Sequence, residues 1–231
     1  MSDPVILVGR RSDGGRRDLL WNFCKRWWVE RLGWPISVGY HDEGPFSLAA
    51  ASNDAAASAS RNYDWDVALY VGADVLLGDP KQAMRATELA LARKQLIFAH
   101  DHYYSLSEEG TTLLLGGEQL HGRLAEWPPW PNTFSSCLAV PRSLWEDIGG
   151  FDERFQGWGF EDLAFWSACC ALAGGFERVT GPVFHLWHER KREEREENPH
   201  HSANQVLGQS YLAAKGSRPR MLAILRERDA A

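Results

Sequence analysis

Trp65-Asp-Val-Ala-Leu-Tyr-Val-Gly-Ala-Asp-Val75 is nearly all apolar from Val67 to Val71 and then turns through Gly72-Ala-Asp74. A strand covered on both faces carries such an unbroken run, whereas a strand with one wet face would be interrupted at every second residue. Residues 65–71 are therefore expected to form a central parallel strand. Ligands of open parallel sheets bind beyond the carboxyl ends of the strands, which marks Asp74 for a site.

The flanks repeat the same unit. Val5 to Val8 is a β-branched run ending at Gly9-Arg-Arg11, and Arg17 to Arg31 places Trp and Leu at helical spacing. Ile36 to Tyr40 predicts a second strand, His41-Asp-Glu-Gly-Pro45 a polar turn, and Phe46 to Arg61 an alanine-rich helix. Downstream, Pro80 starts a helix over Lys81 to Lys94, and Gln95 to Ala99 predicts another strand. This order predicts an α/β protein with a mainly parallel sheet flanked by helices. From His100 to Thr133 the periodicity fades, and Gly116-Gly117 and Glu126-Trp-Pro-Pro-Trp-Pro131 mark loops or an insertion that would form the acceptor side of a pocket. Beyond it, Glu161 to Ala173 predicts a helix, Val179 to Phe184 a strand, and Ser202 to Lys215 and Arg220 to Arg228 two short helices. The dense charge run Glu189 to Glu197 predicts a solvated segment or a lid. One domain is expected over residues 1–198, with 199–231 as its helical extension.

Bulk properties narrow the partners. A chain of 231 residues can bury a full core, and a net charge of −6 gives no overall attraction for a polyanion. Four cysteines without a CxxC pair fit a reducing compartment. The first residues lack a signal-peptide pattern, and no apolar run reaches membrane-spanning length, so a soluble, cytoplasmic protein without an anchor is expected. Eleven tryptophans are many, and core packing accounts for most such residues.

The chemistry concentrates in Gly149-Gly-Phe-Asp-Glu-Arg-Phe-Gln-Gly-Trp-Gly-Phe-Glu-Asp162 and His185-Leu-Trp-His188. Trp158 between two glycines can cover a flat ligand, and the adjacent Glu161 and Asp162 can bind hydroxyls or remove a proton. An acid pair opening a helix also answers the helix dipole, and both roles can hold together. Two histidines can hold a divalent metal. His100-Asp-His102 has ligand-like residues, but their i, i+2 spacing is poor for one ion. Gly9-Arg-Arg-Ser-Asp-Gly-Gly15 matches neither common phosphate-loop pattern.

Residues 138–198 resemble the C-terminal half of the β-1,4-galactosyltransferase family. The parts that agree are Leu138-Ala-Val-Pro-Arg-Ser-Leu-Trp145, the Gly-Gly-Phe-Asp turn, Gly-Trp-Gly-Phe-Glu-Asp162, His188 and the Asn-containing charged run. Upstream, Ala59-Ser-Arg-Asn62 followed by the strand and Asp74 resembles the nucleotide-sugar half of GT-A glycosyltransferases, in which Arg-Asn precedes a strand ending in Asp-x-Asp. Here Gly72 takes the place of the first aspartate.

The resemblance implies a Rossmann-like GT-A fold and a metal-dependent hexosyltransferase using UDP-galactose, UDP-glucose or their N-acetyl forms. It implies Asp162 as base of an inverting transfer, with Glu161 on sugar hydroxyls. Asp74 and His188 would be metal ligands, joined by His185, which replaces a methionine ligand of the vertebrate enzymes. Trp158, Gly159, Arg10, Arg61, Asn62 and Asp42 would contact substrate; for Arg10, Arg11, His41 and Asp42 a solvated loop is an equal reading. Mn²⁺ suits an Asp-His-His set better than Mg²⁺, the second choice. Similarity to the polypeptide N-acetylgalactosaminyltransferases, whose Trp-Gly-Gly-Glu-Asn element ends in Asn, makes Asp162 the residue that implies inversion. The acceptor, whether glycan, protein or modified nucleic-acid base, stays open. The alternatives are a non-catalytic nucleotide-sugar or glycan binding module and a sugar-1-phosphate nucleotidyltransferase.

Overall fold

The computed structural model of the chain describes residues 4–42, 44–131, 133–157, 159–189 and 198–230. The first half runs β1 (Val5–Arg10), α1 (Arg16–Leu32), β2 (Ile36–Tyr40), α2 (Leu48–Asn62), β3 (Val67–Val71), β4 (Val75–Leu77), α3 (Lys81–Arg93) and β5 (Leu96–Phe98). There follow β6 (His102–Ser105), α4 (Glu108–Leu115), β7 (Trp130–Pro131), β8 (Cys137–Pro141), α5 (Arg142–Ile148), α6 (Glu161–Ala173), β9 (Phe176–Arg178), β10 (Pro182–His185), α7 (His201–Ala214) and α8 (Arg218–Asp229).

The main sheet has the order β2-β1-β3-β8-β5-β9. β1 pairs in parallel with β2 and β3, β5 with β9, and β8 alone runs against its neighbours. The expected mixed, mainly parallel sheet with flanking helices is what forms. Strand alternation divides the core into two layers. Val5 and Leu7 of β1 join one cluster with α2, α5 and α6, while Ile6 and Val8 join the other with α1 and α3.

Small residues set the distance between α2 and the sheet. Ala49, Ala51, Ala55 and Ala59 are wholly buried, and a Cβ on Gly39 of β2 would overlap Ala51 O and Ala55 N. Backbone atoms cannot rotate away as a side chain can, so Gly39→Ala is expected to cost about 3 kcal/mol, read as a lowered urea midpoint with unchanged slope.

A smaller sheet, β4-β10-β6-β7, stands apart from the main one. β10 is antiparallel to β4, which puts His185 opposite Val75, and parallel to β6. Three sequence expectations change here. The strand expected at Val179 to Phe184 begins only at Pro182, because Gly181 with φ +138° breaks the extended run. Residues 100–133, read as loops or an insertion, contain β6, α4 and β7; strands of four and two residues are too short to show a period. Val75, read as continuing the turn after the central strand, opens β4.

α6 is apolar all round because it is covered all round. α5, α7, α8 and the β5–β9 end of the sheet contact it, and Tyr211, Met221 and Leu225 of the last two helices are buried in its cluster. The charge run expected as a solvated segment or lid lies, from residue 190 to 197, outside the described residues.

Candidate active site

β1, β2 and β3 end on one edge of the main sheet, and the chemistry gathers there. After β3, Gly72 to Asp74 turn the chain into β4, whose antiparallel partner β10 delivers His185 and, just beyond it, His188. The backbone fixes this meeting: the Leu186 N–H donates to Asp74 O at 2.9 Å. An Asp74 carboxylate oxygen lies 3.2 Å from His188 Nε2 and 3.6 Å from His185 Nε2. Metal–ligand bonds of about 2.1 Å place neighbouring ligand atoms roughly 3.0 to 3.4 Å apart, so these residues fit a divalent ion. Among the described residues this is the single set of three such side chains, its ligand atoms all within 4.8 Å of one another. Burial raises the Asp74 carboxyl, but the charge of His185 and the His188 hydrogen bond outweigh it and hold the group well below the usual carboxylate range.

Position 72 is closed to the missing first aspartate by packing. A Cβ there would lie 2.8 Å from Val75 Cγ2, so a larger side chain must displace Val75 at the start of β4.

The acid pair opens α6. Glu161 is buried and accepts the Gly159 N–H at 2.9 Å; Asp162 is partly exposed and has no hydrogen bond among the described residues. Burial raises the Glu161 carboxyl, and burial together with the charge of Glu161 pushes Asp162 well above its ordinary value. A raised carboxyl with uncommitted oxygens is what a general base requires. Phe160, just before the pair, adopts φ +74°, a left-handed conformation that costs a non-glycine residue about 1 to 2 kcal/mol. α7 holds it there: a Cβ on Gly208 would come 2.8 Å from Phe160 Cβ, and the His201 ring lies 5.6 Å from that of Phe160. Strain of this kind persists only where packing over-determines it, as α7 does here beside the two acids.

The loop before α6 is fastened on two sides. Asn198 and Asn204 both donate to Gln156 O, at 3.2 and 2.9 Å, while the Gly157 N–H donates to Phe46 O at 3.0 Å and Ser47 Oγ to Phe155 O at 3.1 Å. The acid pair is thereby tied to the loop after β2. Tyr70 of β3 connects the two halves of the site: burial first, then the negative charges of Asp162, Glu161 and Asp74, push its hydroxyl far above the ordinary phenol range. The two acids and Asp74 thus have one buried neighbour in common, the Tyr70 hydroxyl.

The other expected site residues divide. Arg10 is 9% exposed, its guanidinium paired with Asp18 and lying 5.9 Å from the Trp21 ring. Arg11 donates to His41 O at 2.7 and 2.9 Å and to Gly44 O at 3.0 Å, joining the loops after β1 and β2. Asp42 is exposed on that second loop. Arg61 and Asn62 depart from expectation: they are exposed at the end of α2, where the chain enters β3, on the edge opposite Asp74. A helix crossing between parallel strands must end at the far edge. Trp158 lies outside the described residues. His100 is fully buried, its ring lowered to about 3 by burial and then by Arg178, whereas His102 is exposed and 2.5 Å from Asp101, so the two do not share a ligand. Tyr70, Phe160 and Gly208 went unread because their roles depend on tertiary contact; Phe160 next to the Glu-Asp pair was the available signal.

Trp130 and Trp127 are 55% and 58% exposed. Trp130 stacks on Tyr103 at 6.1 Å, and Tyr103 stacks on His185 at 6.0 Å, so an aromatic column leads from the histidines to the surface. A cavity of about 580 Å³, lined by Lys81, Gln82, Tyr104, His121, Pro182 and Phe184 among others, opens on the other face of the small sheet. Phe184 and His185 point to opposite faces, which separates that cavity from the acids and histidines.

Among the described residues no helix is long and apolar enough to cross a membrane. No curated protein matches the chain. Residues 125–190 match a family model described as the N-terminal domain of galactosyltransferase. The catalytic domain of Drosophila β1,4-galactosyltransferase 7, solved with xylobiose, aligns with a TM-score of 0.51 at 19% identity, over 85% of this chain and 74% of that one. A mutant of the same enzyme, complexed with manganese, UDP-Gal and xylobiose, aligns with a TM-score of 0.52 at 17% identity, over the same shares, 85% and 74%. S. aureus TarS 1-349 in complex with UDP-GlcNAc aligns with a TM-score of 0.55 at 12% identity, over 99% of this chain and 71% of that one. The segment bearing the acid pair and both histidines thus carries a galactosyltransferase-family match, within a chain that has the fold of GT-A glycosyltransferases.

Proposed function

We propose that the protein is a metal-dependent glycosyltransferase that moves a hexose, Gal, Glc or N-acetylhexosamine, from a UDP-sugar to an acceptor hydroxyl with inversion. One arrangement carries the reading: Glu161-Asp162 at the start of α6, and Asp74, held by His185 and His188 after β3, both bring negative charge to the buried Tyr70 hydroxyl at the carboxyl edge of the parallel strands. Asp162 takes the proton of the acceptor hydroxyl as its oxygen bonds to the anomeric carbon. The bond from that carbon to the phosphate oxygen breaks, and its electron pair leaves with UDP. Glu161, fixed by Gly159, orients a sugar hydroxyl, and Asp42 lies on the edge where the nucleotide would enter. A divalent ion, Mn²⁺ ahead of Mg²⁺, held by Asp74, His188 and His185, would supply positive charge for the diphosphate.

The exposed faces of Trp127 and Trp130 favour a carbohydrate acceptor, since sugar C–H faces pack on indole and the column from Trp130 ends at His185. Thermal shift with a panel of UDP-sugars with and without Mn²⁺ tests the donor side: the donor sugar should add a rise in Mn²⁺ beyond the rise that Mn²⁺ alone gives. NMR of the product tests the stereochemistry: an α-linked donor should give a β-linked product, and a retained anomer contradicts inversion.

The raised Asp162 carboxyl sets a pH dependence. The base acts when deprotonated, so kcat/KM should be full above the raised pKa and fall as pH drops through it. The acidic limb is therefore expected well above the ordinary aspartate value of 3.8. A limb at or below that value contradicts the assignment.

Gly72 favours one second reading, a nucleotide-sugar binding module without turnover. That reading predicts UDP-sugar binding with no UDP release under any acceptor.

A further inference from the structure

From the end of β1 to the first turn of α1 the chain carries four arginines, Arg10, Arg11, Arg16 and Arg17, and two acids, Asp13 and Asp18. Both acids are committed. Asp18 takes Arg10, the Ser12 hydroxyl at 2.6 Å and the Gly14 N–H at 2.8 Å, while Asp13 accepts the N–H groups of Gly15, Arg17 and Asp18 at 2.8 to 3.2 Å. Arg11 is bound to the carbonyls of His41 and Gly44.

The Arg16 guanidinium lies over the indole of Trp187, 4.9 Å from its centre, one residue before His188. Its Nε reaches Trp187 O at a long 3.4 Å, and its Nη2 is buried without a hydrogen-bond partner among the described residues. Stacking uses the face of a guanidinium and leaves its in-plane N–H groups for an oxygen. A buried charged nitrogen without an acceptor is costly, and every carboxylate of its own loop is spent elsewhere. Asp74 is held by the two histidines, and the charge of Arg17 already acts on it.

We propose that Arg16 is a substrate-binding residue that donates to a phosphate oxygen of a nucleoside diphosphate, beside the Asp74-His185-His188 cluster and from the start of α1. The inference rests on the donor being a UDP-sugar, as proposed above. Arg16 then provides a fixed positive charge where the site, with Gly72, carries only one carboxylate. Trp187 is its platform, which sets the direction of the fork.

Calorimetric titration with UDP and with uridine, in Mn²⁺, tests it on wild type, Arg16→Gln and Arg16→Lys. Arg16→Gln is expected to weaken UDP binding about 10- to 100-fold and leave uridine binding and melting temperature unchanged, with Arg16→Lys recovering part of the loss. Equal UDP affinity in wild type and Arg16→Gln overturns the role of Arg16 alone, as does an equal loss for UDP and uridine, which would mark a structural residue. Wild type that binds no UDP in Mn²⁺ overturns this inference together with the donor assignment.

Discussion

Asp162→Asn is expected to lower kcat by about 10²- to 10⁴-fold while the affinity for UDP and Mn²⁺ stays within about twofold. The amide keeps the volume and the place in the first turn of α6 but cannot take a proton. Asp162 makes no hydrogen bond among the described residues, so its replacement breaks no contact there. The same substitution should leave the melting temperature equal or raise it. A carboxyl whose folded pKa is raised favours the folded state only at low pH and works against it as pH rises and the group ionises beside Glu161. An inactive variant at least as stable as wild type separates a functional acid from a helix-capping one, because loss of a favourable helix-dipole contact would lower stability. A stable Asp162→Asn protein with wild-type turnover would contradict the assignment.

The second large effect concerns the metal ligands. Asp74→Ala and His188→Ala are each expected to reduce Mn²⁺ affinity by more than about 100-fold and to remove Mn²⁺-dependent activity, with His185→Ala weakening both less. Asp74 brings the one carboxylate and lies closer to His188, 3.2 Å, than to His185, 3.6 Å. Removing it also leaves two imidazoles edge to face at a ring separation of 5.3 Å without the charge that holds them. Paramagnetic resonance of bound Mn²⁺ reads the three affinities directly. Unchanged binding in the Asp74 and His188 variants would mean that the cluster is an internal hydrogen-bonded group and not a metal site.

Long or fully apolar elements were legible in the sequence. The apolar run within residues 65–71 forms β3 over Val67–Val71, and α6 was predicted with its observed bounds, Glu161–Ala173, because an acid pair opens a run of helix-length apolar sequence that Gly174 closes. β4, β6, β7 and β10 have at most four residues each, and what makes them strands is each other. The meeting of Asp74 with the two histidines was readable because the three resemble a known family's order. The cations were not. Four arginines within eight residues look alike in sequence, and only the way Asp13 and Asp18 are shared decides that Arg10 is internal while Arg16 keeps an open nitrogen. Arg61 and Asn62 show the opposite failure: the family order was present, but the length of α2 carries them past the sheet to its far edge.

Gly72 shows how one substitution can change a site without closing it. Its neighbour Val75 fills the space that a side chain would need, and β4 then starts in register with His185. The turn thus exchanges a second acid for a histidine-rich cluster, a donor set suited to Mn²⁺.

The central claim is transfer chemistry at the joined acid and Asp-His-His centre. Its most direct measurement is UDP release from UDP-galactose, UDP-glucose and their N-acetyl forms, with Mn²⁺ and after chelation, in the presence of a glycan acceptor panel. At least one donor should give steady UDP release that needs Mn²⁺ and is lost in Asp162→Asn; UDP release that is absent with every donor, or that persists unchanged after chelation, would contradict it.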